Sequence, residues 1–292
     1  MRAALVFTTI REDYFPHLDV LIAVLAESGW SMALEENFKN QIVEKYPALS
    51  NCASFHDAES LKATADIVLS MGGDGTFLKT ILYVRDSQIP ILGINMGRLG
   101  FLANVNKERI QEAFDYLKTG NFATNQRSLI RMDSDQALFG NNNYALNELT
   151  IHKKDSASMI SIEVSVGSEY LNTYWADGLI ISTPTGSTAY SLSCGGPIIT
   201  PDSPVLVITP IAPHNLNVRP IIIKDDLEIK VRVDDRNNSH LLTLDSRSEV
   251  INDSYELRIN KAPFSVRTVQ FENLSFFDTI RDKLLWGLDK RN

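Results

Sequence analysis

The sequence predicts an α/β N-terminal domain with an open, mostly parallel sheet, then a β-rich, sandwich-like C-terminal domain. Three observations carry this. Short apolar runs alternate with helical patterns up to about residue 122. Beyond that point period-two alternation takes over, as in Ile160-Ser161-Ile162-Glu163-Val164-Ser165-Val166. At the end, Phe276, Phe277, Ile280, Leu284 and Leu285 return to helical spacing. The expected division is residues 1–122, residues 123–270, and a segment 271–292 whose helix packs back on the first domain.

Taken in order, Ala3 to Phe7 reads as a buried strand. A helix beginning at Pro16 carries Leu18, Leu21, Ile22, Leu25 and Ala26 on one face and stops at Gly29. Trp30 to Leu34 reads as a strand, Phe38 to Tyr46 as a helix, and Leu61 to Ala65 as a short helix. The apolar run Ile67 to Met71 enters Gly72-Gly73-Asp74-Gly75-Thr76, with a helix from Phe77 to Val84 behind it. Ile89 to Ile94 gives the next strand, and Ile110, Ala113, Phe114 and Leu117 mark a helix stopped by Gly120. In the second domain, strands are expected at 170–175, 179–181, 205–208, 221–223, 227–233, 240–244 and 255–259, with a turn at Gly167-Ser168.

The formal charge of −8 argues against general nucleic-acid binding. Cys52 and Cys194 stand far apart and form no metal-type cluster, which fits a reduced, cytoplasmic setting without disulfides. The N-terminal apolar run is too short for a signal peptide. No stretch approaches the roughly 20 apolar residues of a membrane span.

Strand, glycine turn, helix is the arrangement that brings backbone N–H groups up to a phosphate. Asp74 is out of place in such a cradle. It calls for a metal ion, a hydroxyl to bind or deprotonate, or a structural role in the turn. The turn is neither a dinucleotide G-x-G-x-x-G fingerprint nor a P-loop. A second dense feature is Ser182-Thr183-Pro184-Thr185-Gly186-Ser187-Thr188-Ala189-Tyr190-Ser191-Leu192-Ser193-Cys194-Gly195-Gly196-Pro197, rich in hydroxyls, with Tyr190 offering a face for a base. The alternative is a Ser/Thr-rich turn capping a helix. Asn147-Glu148 can hold a vicinal diol, or can be a solvated strand end. Asp177-Gly178 is a turn or a ligand-facing carboxylate. His214, in Pro213 to Pro220, can fix its loop. Gly93-Ile94-Asn95 with Gly97 to Leu102 is a glycine-punctuated link leaving the first sheet.

Together and in this order, these segments resemble the NAD kinases, over about residues 67 to 221. The glycine-aspartate turn alone is shared with diacylglycerol and sphingosine kinases and with phosphofructokinases. The run Thr183 to Ser193 and its partners are specific.

The resemblance implies transfer of the γ-phosphoryl group of ATP to the 2′-hydroxyl of the adenosine ribose of NAD, giving NADP. It also implies a divalent metal, Mg²⁺, and a homodimer or homotetramer in which the NAD pocket borrows residues from a neighbour. By motif match, Asp74 is the proton acceptor, with Gly75 beside it. Gly72, Gly73, Gly75 and Thr76 form the phosphate-binding loop, and Lys79 helps to neutralise polyphosphate and counts with the NAD site. Asn147 and Glu148 match the family's NAD-binding pair, and Asp177 a second acidic pocket residue. Thr188, Ala189, Tyr190, Ser191, Leu192 and Ser193 line the adenine end. Ser158, Trp175 and Arg247 fall at ligand-contact positions that vary within the family. No nucleic acid or membrane partner is expected. The competing readings are a lipid kinase of the diacylglycerol or sphingosine type, and a non-catalytic dinucleotide-binding module.

Overall fold

A computed structural model describes residues 1–154, 159–234, 239–251, 255–272 and 275–286. The chain forms two compact units, Met1–Gln126 with Val266–Asn292, and Arg127–Ser265.

Unit 1 alternates strand and helix: β1 (Arg2–Phe7), α1 (Phe15–Glu27), β2 (Ser31–Glu35), α2 (Glu36–Ile42), β3 (Ala53–Phe55), α3 (Ala58–Thr64), β4 (Ile67–Gly72), α4 (Asp74–Val84), β5 (Ile91–Asn95), β6 (Val105–Asn106) and α5 (Ile110–Thr119). The strands run in parallel in the order β3-β2-β1-β4-β5. Both sheet faces are covered, so the central strands are apolar throughout. Ala3, Leu5, Ile67, Leu69, Leu92 and Ile94 on one face pack with Leu21 and Leu25 of α1 and Phe114 of α5. α1 begins with Pro at its first turn, and α5 ends on Gly120 at φ 73°, the left-handed cap that glycine adopts without penalty.

Three local expectations are corrected. Trp30 lies outside β2, although it packs on Phe114 with ring centroids 5.5 Å apart. The second helix ends at Ile42 and starts earlier, because the Glu35 carboxylate caps its N-terminus by accepting the Phe38 N–H. The helix after the glycine turn starts at Asp74 rather than Phe77, which puts the acid in its first turn.

Unit 2 is a sandwich of two antiparallel sheets. Its strands are β7 (Ala123–Ser134), β8 (Tyr144–Ala145), β9 (Glu148–Lys153), β10 (Ile160–Val166), β11 (Glu169–Ala176), β12 (Gly178–Ser182), β13 (Val205–Ile211), β14 (Ile221–Lys224), β15 (Ile229–Asp234), β16 (His240–Leu244), β17 (Arg247–Ile251) and β18 (Tyr255–Gln270); the short helix α6 (Tyr190–Ser193) follows β12. One sheet runs β11-β10-β15 and onto the first half of β18, the other β14-β13-β12-β9-β16-β17. Alternation delivers Ile162, Val164, Val231 and Leu257 from the first sheet against Leu149, Ile151, Leu179 and Leu242 from the second, one shared core.

β18 is far longer than the expected 255–259. Its far end, from Val266, belongs to unit 1, where Thr268 pairs in parallel with Ile91 of β5. The final helix, α7 (Phe276–Leu284), belongs to unit 1 and starts with a Ser275–Asp278 capping box. Its buried residues are Thr279 and Ile280, whereas Phe277 and Leu285 of the expected stripe are exposed. Among the described residues no helix is long and apolar enough to cross a membrane.

Candidate active site

In unit 1 the strand order reverses between β1 and β4. The crossovers there leave in opposite directions and open a crevice at the carboxyl ends of the two strands, the usual ligand position in such sheets. Both strands deliver hydroxyls to it. Thr8, next after β1, and Thr76, in the first turn of α4, are 2.6 Å apart, hydroxyl to hydroxyl. Gly72 permits that contact, since a Cβ there would stand 2.1 Å from the Thr76 hydroxyl. Gly73 and Gly75 are exposed, and a Cβ on either would meet nothing within 4 Å, so the turn is open on that side. The positive end of the α4 dipole faces the same way.

The Asp74 carboxylate is held from behind. Its Oδ2 accepts the Phe101 N–H at 2.9 Å, and its Oδ1 accepts the N–H groups of Leu102 and Ala103, each at 3.0 Å. These amides follow β5, in the segment that begins with the glycine-punctuated link. A carboxylate offers about four acceptor positions, so three are taken and one remains, on Oδ2. An acid in this turn is thus accounted for: backbone dipoles offset its charge, it holds the neighbouring loop, and one acceptor position stays open.

Lys79 lies further along α4. It lines a small cavity with Thr8, Thr9, Glu35, Asn37 and Gln41, and Asp74 is not among the residues lining it.

In unit 2, Asn147 and Glu148 sit at the start of β9 and are buried, at 7% and 8% exposure. That overturns the solvated strand end as an alternative. Asn147 Oδ1 and Glu148 Oε2 are buried without a hydrogen-bond partner, an expensive arrangement unless a ligand supplies donors. Burial, reinforced by the Asp245 carboxylate, pushes the Glu148 carboxyl up to about 8, against an opposing Tyr190 N–H.

The pair is fixed by Asp245, which the motif reading did not single out, and by two residues of the hydroxyl-rich run. Asp245, in the β16–β17 turn at φ 53°, accepts the N–H groups of Leu146, Asn147 and Glu148 at 2.9, 2.8 and 3.3 Å. The available sequence signal was Asp245-Ser246 between two alternating strands, which reads as an ordinary hairpin turn. From the other side, the Thr183 hydroxyl donates to the Leu146 carbonyl at 2.5 Å, and the Thr183 N–H donates to the Asn147 carbonyl at 2.9 Å. Gly186 lies so close that a Cβ would fall 2.1 Å from the Asn147 carbonyl oxygen.

Much of the hydroxyl-rich run bonds to itself. Ser187 donates to the Pro184 carbonyl at 2.6 Å and accepts the Ile199 N–H at 3.0 Å. Thr188 donates to the Thr185 carbonyl at 3.2 Å, and Ser191, fully buried, bonds the Thr209 hydroxyl at 2.8 Å. Within the segment from Thr188 to Ser193 these hydroxyls build the loop. Tyr190, by contrast, is 40% exposed at the start of α6, with its ring available for stacking. Ala189 precedes that helix, and Leu192 and Ser193 complete its single turn.

Asp177 precedes β12 and pairs with Lys153 at 2.6 Å. Trp175, 57% exposed on β11, meets His214 edge to face at 6.1 Å, and its carbonyl accepts the His214 N–H. The Arg247 guanidinium donates to the Asn142 and Tyr144 carbonyls and lies over the Phe139 ring. It therefore braces the segment leading into Asn147. Ser158 lies outside the described residues.

A parallel sheet with a glycine turn and a carboxylate at its switch point in unit 1, and a sandwich with unsatisfied buried acceptors in unit 2, make up an α/β protein of the ligand-binding, open-sheet class. Residues 15–122 match the model of the ATP-NAD kinase N-terminal domain, and residues 146–271 that of the ATP-NAD kinase C-terminal domain. The NAD kinase of Flavobacterium johnsoniae is 46% identical over 279 residues, 95% of each chain, and that of Bacteroides fragilis is 42% identical over the whole of both. The chain belongs to the ATP-NAD kinase family.

Solved structures agree in fold. Yeast NADH kinase complexed with NADH superposes with a TM-score of 0.86 at 20% identity, covering 98% of this chain and 88% of the other. An Archaeoglobus fulgidus NAD kinase in complex with ATP gives 0.75 at 24%, covering 98% and 99%.

Proposed function

We propose that Asp74 is the proton acceptor in the reaction of the family, transfer of the γ-phosphoryl group of ATP to the 2′-hydroxyl of the adenosine ribose of NAD. The chain is an NAD kinase phosphotransferase by its relatives, and the assignment of residues to roles is our reading. The observation that carries it is the single open acceptor position on the Asp74 carboxylate. A hydroxyl nucleophile needs an acceptor within hydrogen-bond reach, and phosphoryl transfer otherwise asks mainly for positioning and charge neutralisation. Gly72, Gly73, Gly75 and Thr76 offer the donor polyphosphate an open turn at a helix N-terminus, and Lys79 adds positive charge from α4.

The orphaned acceptors of Asn147 and Glu148 call for a ligand that donates, which suits the hydroxyls and amino groups of NAD. Tyr190 supplies a stacking face and Asp177 a carboxylate, while Trp175 and Arg247 border the same segments. A divalent cation fits this chain as a companion of the donor. Among the described residues no three His, Cys or carboxylate side chains converge, and Mg²⁺ is commonly held by one or two carboxylates together with substrate phosphates. The one open position on Asp74 serves the hydroxyl in this reading, so the ion would be held chiefly by the donor phosphates, whose charge it would neutralise. We further propose a cytoplasmic homodimer or homotetramer.

Purified protein given ATP, Mg²⁺ and NAD should form NADP, and Asp74→Asn should lose most turnover while still binding NAD. An Asp74→Asn variant with wild-type turnover would remove the acid from this role. Parallel arms with NADH, inorganic polyphosphate and EDTA read out acceptor, donor and metal. Light scattering on the eluted peak reads the assembly.

A further inference from the structure

We infer that Gly100 is a positioning residue for Asp74: its missing side chain lets the loop Gly100–Ala103 close around the carboxylate and fix where the open acceptor position points. This rests on the reading of Asp74 as the proton acceptor. The three heavy atoms nearest to a Cβ built on Gly100 all belong to the Asp74 carboxyl group, Oδ1 at 1.9 Å, Cγ at 2.7 Å and Oδ2 at 3.0 Å. Real Cβ atoms do not approach this closely, so alanine here displaces the carboxylate, the loop, or both.

The backbone itself is no obstacle. Gly100 does not adopt the left-handed conformation that glycine alone favours, unlike Gly120 or Gly195. Glycine is therefore required here by the neighbouring side chain and not by the chain path. The loop is also closed on itself, because the Gly100 N–H donates to the Ala103 carbonyl at 3.1 Å. That bond presents the next three amides to Asp74 as a concave set. A second constraint comes from the end of the chain, where Lys283 in α7 lies over the Phe101 ring, 5.2 Å from its centroid. Phe101 contributes the amide on Oδ2, the oxygen with the open position.

Misplacing a reacting group by about 1 Å costs on the order of a hundredfold in rate. Gly100→Ala should accordingly lower kcat about a hundredfold, with KM for NAD and for ATP within about twofold of wild type. Unchanged kcat overturns the inference, as does a loss expressed in KM. Asp74→Asn, measured alongside, separates the two claims. If it keeps turnover, the proton-acceptor reading fails, whatever Gly100→Ala does. If it loses turnover while Gly100→Ala keeps it, only the positioning claim fails.

Should Gly100→Ala lower thermal stability, the pair Asp74→Ala with Gly100→Ala identifies the cause. Stability equal to that of Asp74→Ala alone assigns the clash to the carboxylate. Stability that stays lower places the clash elsewhere and overturns the inference.

Discussion

Two carboxylates in this protein do the same mechanical task with different chemical outcomes. Asp74 and Asp245 each gather three consecutive backbone N–H groups, from residues 101–103 and 146–148 respectively. Asp74 is left beside an open turn. Asp245 secures the backbone beneath a third carboxylate, Glu148, whose own Oε2 has no donor. The pH consequence falls on Glu148. Its carboxyl, raised from 4.5 to about 8, holds a proton in the folded chain that the unfolded chain releases. Stability is therefore full below the unfolded value, is lost as pH rises from about 4.5 to about 8, and levels off above. Glu148→Gln should remove that slope, so thermal scans across pH 4.5 to 9 should show the variant gaining on wild type up to about pH 8. A constant gap across the range would dismiss the raised carboxyl. A ligand that donates to Glu148 favours its ionised form, so NAD binding near pH 7 should release a proton. Calorimetry in buffers of different ionisation enthalpy measures it.

At the scale of elements, the sequence was most legible where one period ran unbroken. β1, β4, α5 and the alternating strands β10 and β16 all appear where periodicity puts them, because each has a single buried face or is buried on both. Legibility failed where a side chain overrides the pattern. The Glu35 cap moved the start of α2, and Asp74 took the first turn of α4, neither of which apolar spacing registers. β7 and the second half of β18 went unread because their apolar positions are interrupted by polar and charged residues, as in Thr124-Asn125-Gln126-Arg127. The site followed the same rule. Motif residues such as Asp74, Asn147 and Glu148 were visible, and so were the segments that contain Gly100 and Thr183, but not what those two residues hold; Asp245 went unread because it acts on backbone groups almost a hundred residues away. Hydroxyl density was misleading in part, since Ser187 and Ser191 serve the loop's own hydrogen bonds. One prediction belongs here. Gly186→Ala pushes the segment after β12 off the Asn147 carbonyl, at a cost of about 1–3 kcal/mol. It should weaken NAD binding measured by calorimetry, and wild-type affinity and melting temperature together would show that the contact relaxes freely.

At the scale of the molecule, unit 2 is one continuous stretch of chain, Arg127–Ser265, whereas unit 1 takes Met1–Gln126 and then resumes at Val266. The resumed portion is not an ornament. Thr268 pairs with Ile91 on the edge of β5, and Val269 and Phe271 lie in the unit 1 core. A fragment of residues 1–126 should therefore expose that edge and part of its core, and should aggregate on expression, as unpaired edges do. A well-behaved, cooperatively melting fragment would contradict this. On the ribosome the same connectivity imposes an order. The first 126 residues emerge early, yet their sheet lacks a neighbour until more than 260 residues have been made. The sandwich, complete sooner, is free to fold while the older chain waits. The order of folding should thus run against the order of synthesis here, with the half that is translated first finishing last.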